Sequence, residues 1–401
     1  MSGTSGTSAS PPGDTIVRSK GTSRTALYTV IAVVVVIVII LGGGYAAGWF
    51  KTGSSSTGTG VCTSPASATI NGAGSTLVAP LMDAWAATYT ASTVNYGSVG
   101  SGAGIQDITQ KTVDFGASDA PLNPTQRAAI PSPGVVTIPE SAGAAVPVYN
   151  LPSVSATLKF TGQILASIYL GTMTNWNNSI LQAVNPGVTL PNAAILVVHR
   201  SDGSGTTFVW TSFLSAENTT WKNTVGFATS VSWPVGSGSK GNSGVTQTVK
   251  STVDAIGYVD INYALTNGVA FGAVQNPAGN YVVANITNIA SAIKDANPTL
   301  PAGTGDWYNV SVLNAPGAHD YPLATLTYLF VYKDLGTAYG ASYGLTKAEN
   351  VVDFLSWIVT VGQNDSAGLY YIPLSQTVVH ADIVTIDSIT YNGAAISVCI
   401  P

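Results

Sequence analysis

Charge is scarce in this 401-residue sequence: Asp, Glu, Lys and Arg together make up 8% of it, against roughly 25% in an ordinary soluble domain. Histidine (three) and cysteine (two) are as sparse. His199, His319 and His380 are scattered, with no H-E-x-x-H and no Cys/His cluster, so no zinc or other metal site is expected. There is no P-loop either, because Lys240 is followed by Gly241. Of the 14 Lys and Arg residues, Arg18, Lys20, Arg24 and Lys51 fall within the first 51 positions, leaving ten beyond them against 18 of the 19 acidic residues. That part of the chain is acidic and has no basic patch, which excludes nucleic-acid binding. Gly, Ser, Thr and Asn take the place of charge. The surface this implies, polar but uncharged, suits an exterior protein facing an acidic or salty medium. The length allows two or more domains with real cores.

What charge remains near the N-terminus is pointedly placed. Arg18, Lys20 and Arg24 precede "ALYTVIAVVVVIVIILGGGYAAGWF" (26–50), which carries no charge and is followed at once by Lys51. Such a run can span the roughly 30 Å hydrocarbon core as a helix. The basic flank stays in the cytoplasm and sends the rest outside. The expectation is a cytoplasmic leader (1–24), a single-pass transmembrane helix (25–50) and a flexible tether (51–65) rich in Gly, Ser and Thr. A processed export signal is the alternative, but no A-x-A site is evident. Cys62 and Cys399 mark the two ends of the exported part. Two arrangements fit: a disulfide formed in an oxidising exterior, or two free thiols. Sequons at Asn177, Asn218, Asn285, Asn309 and Asn364 fit an exported glycoprotein, though such triplets also arise by chance in so Asn-, Ser- and Thr-rich a chain.

Three segments repeat one pattern, an extended stretch, a glycine turn and an amphipathic helix. In the first, "SATI" (67–70) leads into "GAGST", after which Leu77, Leu81, Ala84, Trp85 and Thr88 recur at helical spacing. Pro80 suits the first turn of that helix, which puts Thr76 near the N-cap. In the second, "VNYG" runs into Gly100-Ser101-Gly102-Ala103-Gly104, with a helix expected from about Ile105. Directly after it, Val113, Phe115 and Ala117 alternate as in a half-buried strand ending on Ser118 and Asp119. In the third, the buried strand "AILVV" ends in His199-Arg200, and "SDGSGT" opens a helix carrying Phe208, Trp210, Phe213 and Leu214. Helix N-termini present unpaired N–H groups and partial positive charge, so they take anions; glycines admit close backbone approach and hydroxyls add donors. In α/β folds ligands sit at such strand ends. One unit alone is ordinary loop chemistry. Three of them, with Arg200 and Asp119 at the same strand ends, predict an anion site.

Other features are set aside. "GSGSKG" (236–241) formally matches G-x-G-x-x-G, but Pro234 spoils the strand before it and a dinucleotide site is not expected. His199 reads as a packed strand-end histidine, and Trp85, Trp210, Phe213 and Trp357 read as core.

The same motifs carry a resemblance. "GAGSTLVAPLMDAWAATY", "VNYGSVGSGAGI", "VDFGASDAPL", "VVHRSDGSGTTFVWTSFL" and "GNSGVTQTVKSTVDAIGYVDINYA" resemble, in order from residue 70 to 263, the phosphate-binding proteins of ABC-type phosphate uptake systems. The likeness continues more weakly through "YPLATLTYLFVYKD" (321–334) to the C-terminus. It implies an α/β, two-lobed class II solute-binding fold closing on one phosphate, with crossover strands near 141–150 and 321–330. Lobe one would comprise 66–142 and 322–401 and lobe two 143–321, which would bring Cys62 and Cys399 within reach of each other. The resemblance places phosphate contacts on Thr76, Leu77, Ser101, Asp119, Arg200, Ser204, Gly205 and Thr206, with Asp202 pairing the arginine. Leu77 departs from the family's usual Phe; the contact there is a main-chain N–H, so it should survive. No cofactor is implied. The partners would be inorganic phosphate and the permease and ATPase subunits of an ABC importer, the membrane held through the N-terminal helix and the ectodomain monomeric.

An acidic protein must hold an anion by local dipoles and one arginine rather than by net charge. A carboxylate at Asp119 makes sense if the ligand still carries a proton for it to accept; the plainer reading is that it caps a turn before Pro121. Three other functions are compatible with the sequence: a receptor for sulfate, molybdate or tungstate; a phosphatase reusing the cradle, for which neither a metal cluster nor an activated nucleophile is found; and a surface-layer structural protein.

Overall fold

Residues 66–397 are described by a computed structural model; the basic leader, the 25–50 run, the tether and both Cys62 and Cys399 lie outside them. Among the described residues no helix is long and apolar enough to cross a membrane.

The frame is a nine-stranded sheet. Strands β1 (Thr69–Gly74), β2 (Thr93–Gly97) and β3 (Phe115–Ser118) are parallel, in the order β2-β1-β3. Helices α1 (Ala79–Thr88) and α2 (Ser101–Thr109) connect them. The 15-residue β4 (Val135–Tyr149) follows. Next come β5 (Leu196–Arg200), α3 (Gly205–Glu217), β6 (Ser237–Ser239), α4 (Gly241–Ser251), β7 (Ala255–Asp260), α5 (Ile261–Thr266) and the short β8 (Ala270–Phe271). The chain returns through β9 (Ala324–Tyr332) and ends with helices that include α6 (Leu345–Val359).

Two strands join two lobes. From Val135 to Ala144, β4 pairs antiparallel with β9; from Ala145 to Tyr149 it pairs antiparallel with β7. β9 in turn lies against β3. Both strands are buried almost throughout, so their sequences run apolar without the alternation of a half-solvated strand. The result is a mixed α/β fold of two lobes.

Residues from both ends of the described chain share one core. Phe115 of β3 packs on Phe354 of α6 at 6.0 Å, and Tyr89 packs on Phe354 and Trp357. The Trp85 indole N–H donates to the Gly362 carbonyl at 2.7 Å. The second lobe has its own aromatic core, where Trp210 stacks on Tyr258 at 5.0 Å and both meet Tyr169. Trp85, Trp210 and Phe213 are fully buried and Trp357 nearly so, as core residues should be. Truncating any of these to Ala would cost about 3–5 kcal/mol.

Local boundaries differ from expectation in four places. β1 runs on through Gly72 and Gly74, so the glycines are strand rather than turn. The reason is steric: a Cβ on Gly72 would fall 2.0 Å from the Phe115 ring. Helix α2 starts at Ser101 rather than Ile105, with its glycines inside the first turns. The residue before α1 is Val78, and Thr76 does not cap it. β3 lies centrally in the sheet between β1 and β9, with α2 packed on Gly116, and is buried throughout; Val113 falls outside it.

Candidate functional site

Three polar loops from the two lobes meet where β1, β3 and β5 end. After β1, Ser75 organises the turn. Its hydroxyl accepts the Leu77 and Val78 N–H groups at 2.9 and 3.4 Å and donates to Asp119 Oδ1 at 2.5 Å. Ser75 thus does the work expected of Thr76 at the mouth of α1, helped by Pro80, whose missing N–H costs nothing there. Leu77 is fully buried, its N–H engaged by Ser75 and its carbonyl accepting from Tyr371 Oη at 2.6 Å.

Thr76 reaches the other lobe. Its Oγ1 accepts from the Asn242 main-chain N–H (3.2 Å) and from Asn242 Nδ2 (2.9 Å). The same Nδ2 donates to Thr206 Oγ1 at 3.2 Å, and Asn242 Oδ1 accepts the Asp260 N–H at 3.0 Å. Ser101 Oγ accepts the Gly205 N–H at 3.0 Å and the Asp119 N–H at 3.4 Å. A hydroxyl has two lone pairs and one hydrogen. Where N–H donors fill the lone pairs, as at Thr76 and Ser101, the hydrogen is left to point at something else. Hydroxyls arranged this way are donors, which is what an anion requires.

The charge comes from lobe two. Arg200, at the end of β5, is 3% exposed. Its Nε donates to Asp202 Oδ1 at 2.8 Å and its Nη2 to Oδ2 at 2.5 Å, a bidentate pair. Nη1 is buried and has no partner. A buried guanidinium N–H left unpaired is costly, so this atom marks where an acceptor belongs. Burial alone would raise the Asp202 pKa, but the bonds and charge of Arg200 and the Gly241 N–H outweigh it and hold the carboxyl below its ordinary range. The Arg200 main-chain N–H donates to Tyr258 Oη at 3.1 Å, which fixes the strand end.

Glycine is required where the lobes touch. Gly100 has φ +99°, and a Cβ there would lie 2.4 Å from Asp202 Oδ2. Gly102 donates its N–H to the Gly203 carbonyl at 2.9 Å, two bare backbones in contact across the cleft. Gly205 opens α3 directly against the Asp119 carboxyl.

Thr76, Ser101, Asp119, Arg200, Gly205 and Thr206 therefore converge, with Asp202 beside the arginine. Ser204 caps α3, its Oγ accepting the Thr207 N–H at 3.0 Å. Asp119 is 2% exposed. Burial pushes its pKa up to about 6, against the opposing pull of Ser75, Arg200 and Thr327. It remains an acceptor at neutral pH. His199 stacks on Trp233 at 4.7 Å, a packing role.

Sequence reasoning missed Ser75, Asn242 and Tyr258. Asn242 had a usable signal: "GSGSKGN" was set aside as a dinucleotide motif, yet it forms a short strand, β6, a glycine and the mouth of α4, a fourth unit of the same pattern. Its Gly241 N–H, Asn242 N–H and Asn242 amide all go to the site.

The chain matches the PBP superfamily domain over residues 60–361. It is 37% identical to the phosphate-binding protein PstS of Xylella fastidiosa over 319 residues, covering 77% of this chain and 82% of that one. It is 39% identical to the PstS of Pasteurella multocida over 315 residues, covering 78% and 88%. Among solved structures it is similar in fold to the phosphate-binding protein of Stenotrophomonas maltophilia, with a TM-score of 0.60 at 20% identity over 79% of this chain and 94% of that one. The chain belongs to the PBP superfamily and, within it, to the family of PstS phosphate-binding proteins.

Proposed function

We propose that this chain binds inorganic phosphate between its two lobes and delivers it to the permease and ATPase subunits of an ABC importer. The observation that carries this reading is the site's mixed polarity: donor hydroxyls and a buried, unpartnered Arg200 Nη1 gather with one carboxylate, Asp119, which the Arg200 charge is close enough to influence. Hydrogen phosphate offers acceptor oxygens to the donors and a proton to the carboxylate, whereas sulfate has no proton to give. The proposed contacts are Thr76, Leu77, Ser101, Asp119, Arg200, Ser204, Gly205 and Thr206, with Asp202 fixing the guanidinium. For Leu77 the N–H would have to be shared with Ser75.

The rest of the reading follows from export. Residues 1–24 form a cytoplasmic leader, 25–50 a membrane anchor and 51–65 a tether. Lobe one comprises 66–142 and 322–401, and lobe two 143–321. Cys62 and Cys399 join the two ends of lobe one. The ectodomain is a monomer on the cell surface, carries no enzymatic activity and is glycosylated at some of its sequons. Asn177, Asn309 and Asn364 are exposed, whereas the Asn218 side chain is committed, accepting from the Trp221 N–H and donating to Gln163.

Calorimetric titration of the ectodomain with phosphate, sulfate and molybdate tests the assignment. Tight binding of phosphate with exclusion of the other two is expected; preference for sulfate or molybdate, or no binding at all, overturns it. Protease added to intact cells should release a fragment starting in the 51–65 tether, and a full-length chain free in the medium would rule out the anchor.

A further inference from the structure

Between the helix Ile286–Ala296 and β9 the chain runs through 297–323 without forming a helix or strand. So long an irregular stretch in a compact domain is usually functional. This one touches both lobes in turn. On lobe one, the Gly303 carbonyl accepts the N–H of Thr137, in the part of β4 that pairs with β9, at 2.8 Å. Arg127, from the helix Pro124–Ala129, donates Nη1 to the Gly305 carbonyl and Nη2 to the Thr304 carbonyl. Trp307 is buried and meets Tyr328 of β9 edge-on at 5.8 Å. On lobe two, Asn314 Nδ2 donates to Glu217 Oε1, at the end of α3, at 2.8 Å. The Gly317 and Asp320 carbonyls accept from Asn276 Nδ2 at 3.0 and 3.1 Å. The segment therefore leaves lobe two, docks on lobe one at 303–307 and returns before β9 makes the second crossover. It is a third bridge, outside the sheet, held by hydrogen bonds and packing.

What it covers is the flank of the anion site. Val310–Leu313 line a cavity of about 20 Å³ together with Asp119 and Pro121 from lobe one and Phe208 from α3. Space of that size holds one water at most, so no phosphate passes there. Building on the phosphate reading above, we infer that 301–314 is a strap that seals the Asp119 flank of the cleft, that Arg127 is its clip, and that the strap comes off lobe one when phosphate leaves. Opening a cleft about β4 and β9 lengthens the path from Thr137 and Arg127 to Glu217, so the anchors on one side must let go. Those on lobe one are the releasable set. Arg127 is half-buried and makes no ion pair among the described residues, and its bonds go to neutral carbonyls, for which water can substitute. Asn314, by contrast, is bonded to a carboxylate and runs on into the carbonyls held by Asn276.

The experiment follows release of radiolabelled inorganic phosphate into excess unlabelled phosphate, with association measured alongside, for the wild type and Arg127→Ala. Expected is release about tenfold faster in the variant, the scale of losing charge-assisted hydrogen bonds, with association no slower. Equal release rates overturn the strap while leaving phosphate binding intact. Slower association with unchanged release would make Arg127 a source of long-range attraction and overturns it as well. No binding of phosphate by the wild type overturns the phosphate reading itself and takes the strap's part in release with it. Should the variant fail to fold, hydrogen exchange of the wild-type chain supplies the test. Amides in 303–313 must exchange more slowly with phosphate bound than without it, and an unchanged pattern there overturns the inference.

Discussion

The two lobes contribute opposite chemistry to one cleft. Lobe one offers Ser75, Thr76, Ser101 and Asp119, all hydroxyls or carboxylate. Lobe two offers the guanidinium of Arg200, and it too is matched by an acid, Asp202. Yet the two carboxylates beside that cation fare differently. Asp202 accepts two guanidinium bonds and the Gly241 N–H and lies below its ordinary range, while Asp119, buried more deeply and bonded to a neutral serine, is pushed up to about 6. Burial raises both, and more so the deeper Asp119; Arg200 acts on both by charge, but only Asp202 also takes its direct guanidinium bonds. Lobe two therefore supplies attraction, and lobe one supplies a proton acceptor whose charge can be switched. In the phosphate reading proposed above, attraction would set affinity and the acceptor would set which anion is admitted.

The comparison breaks most severely at the cation. Arg200→Ala removes the charge and leaves the half-buried Asp202 without its partner. Phosphate affinity should fall by about 2–5 kcal/mol in calorimetry, and Arg200→Lys should rescue little, since a point charge cannot hold a carboxylate bidentately and keep a third donor aimed at the ligand. Unchanged affinity in a folded variant would remove Arg200 from the site. Next is the link between the lobes. Asn242→Ala strips Thr76 and Thr206 of the shared Nδ2 donor, leaving Thr76 only the main-chain N–H of residue 242, and strips the Asp260 N–H of its acceptor. A loss of about 1–3 kcal/mol in phosphate affinity is expected. Thermal unfolding with and without phosphate separates this from simple destabilisation: the phosphate-induced rise in Tm should shrink. Gly100→Ala should cost a similar or smaller amount, about 1–3 kcal/mol, because its φ of +99° and the nearby Asp202 carboxyl leave no room for a Cβ. Chain closure measured by small-angle scattering with phosphate should then be incomplete.

The glycine turns and the strand-end Arg and Asp were legible in the sequence because main-chain approach to an anion demands those residue types. The two crossover strands were legible only through resemblance: nothing in "SAGAAVPVYN" by itself says that it switches partners between Ala144 and Ala145. Ser75 escaped notice because Thr76 beside it carries the same functional group, and only geometry tells which hydroxyl turns inward to the helix and which crosses the cleft. The strap was illegible for a different reason. An irregular segment has no period of its own, and its place depends on an arginine 178 positions away.

The smallest expected effect sharpens the comparison best, because it needs no mutation. Asp119 is ionised above about pH 6 and protonated below it. In the proposed site the ionised form would accept the proton of hydrogen phosphate or dihydrogen phosphate and repel sulfate, which would leave a buried acceptor unsatisfied; such mismatches discriminate strongly without tightening the wanted complex. Once protonated it becomes a donor, suited to sulfate and poorly suited to a proton-bearing ligand. The neutral fraction of Asp119 rises about tenfold between pH 7 and pH 5. Sulfate should therefore compete with phosphate up to about tenfold better at pH 5 than at pH 7, and Arg200 contributes nothing to the difference because it stays charged throughout. Asp119→Asn supplies the control. Its amide does not titrate over this range and can either accept a proton or donate to a bare oxygen, so sulfate should compete better than in the wild type at pH 7 and equally well at pH 5 and pH 7. Competition binding at the two pH values decides the matter. Constant selectivity in the wild type would mean that Asp119 does not choose the anion; a drift of equal size in Asp119→Asn would assign the switch to another carboxyl, of which Glu140 and Asp260 are the buried candidates.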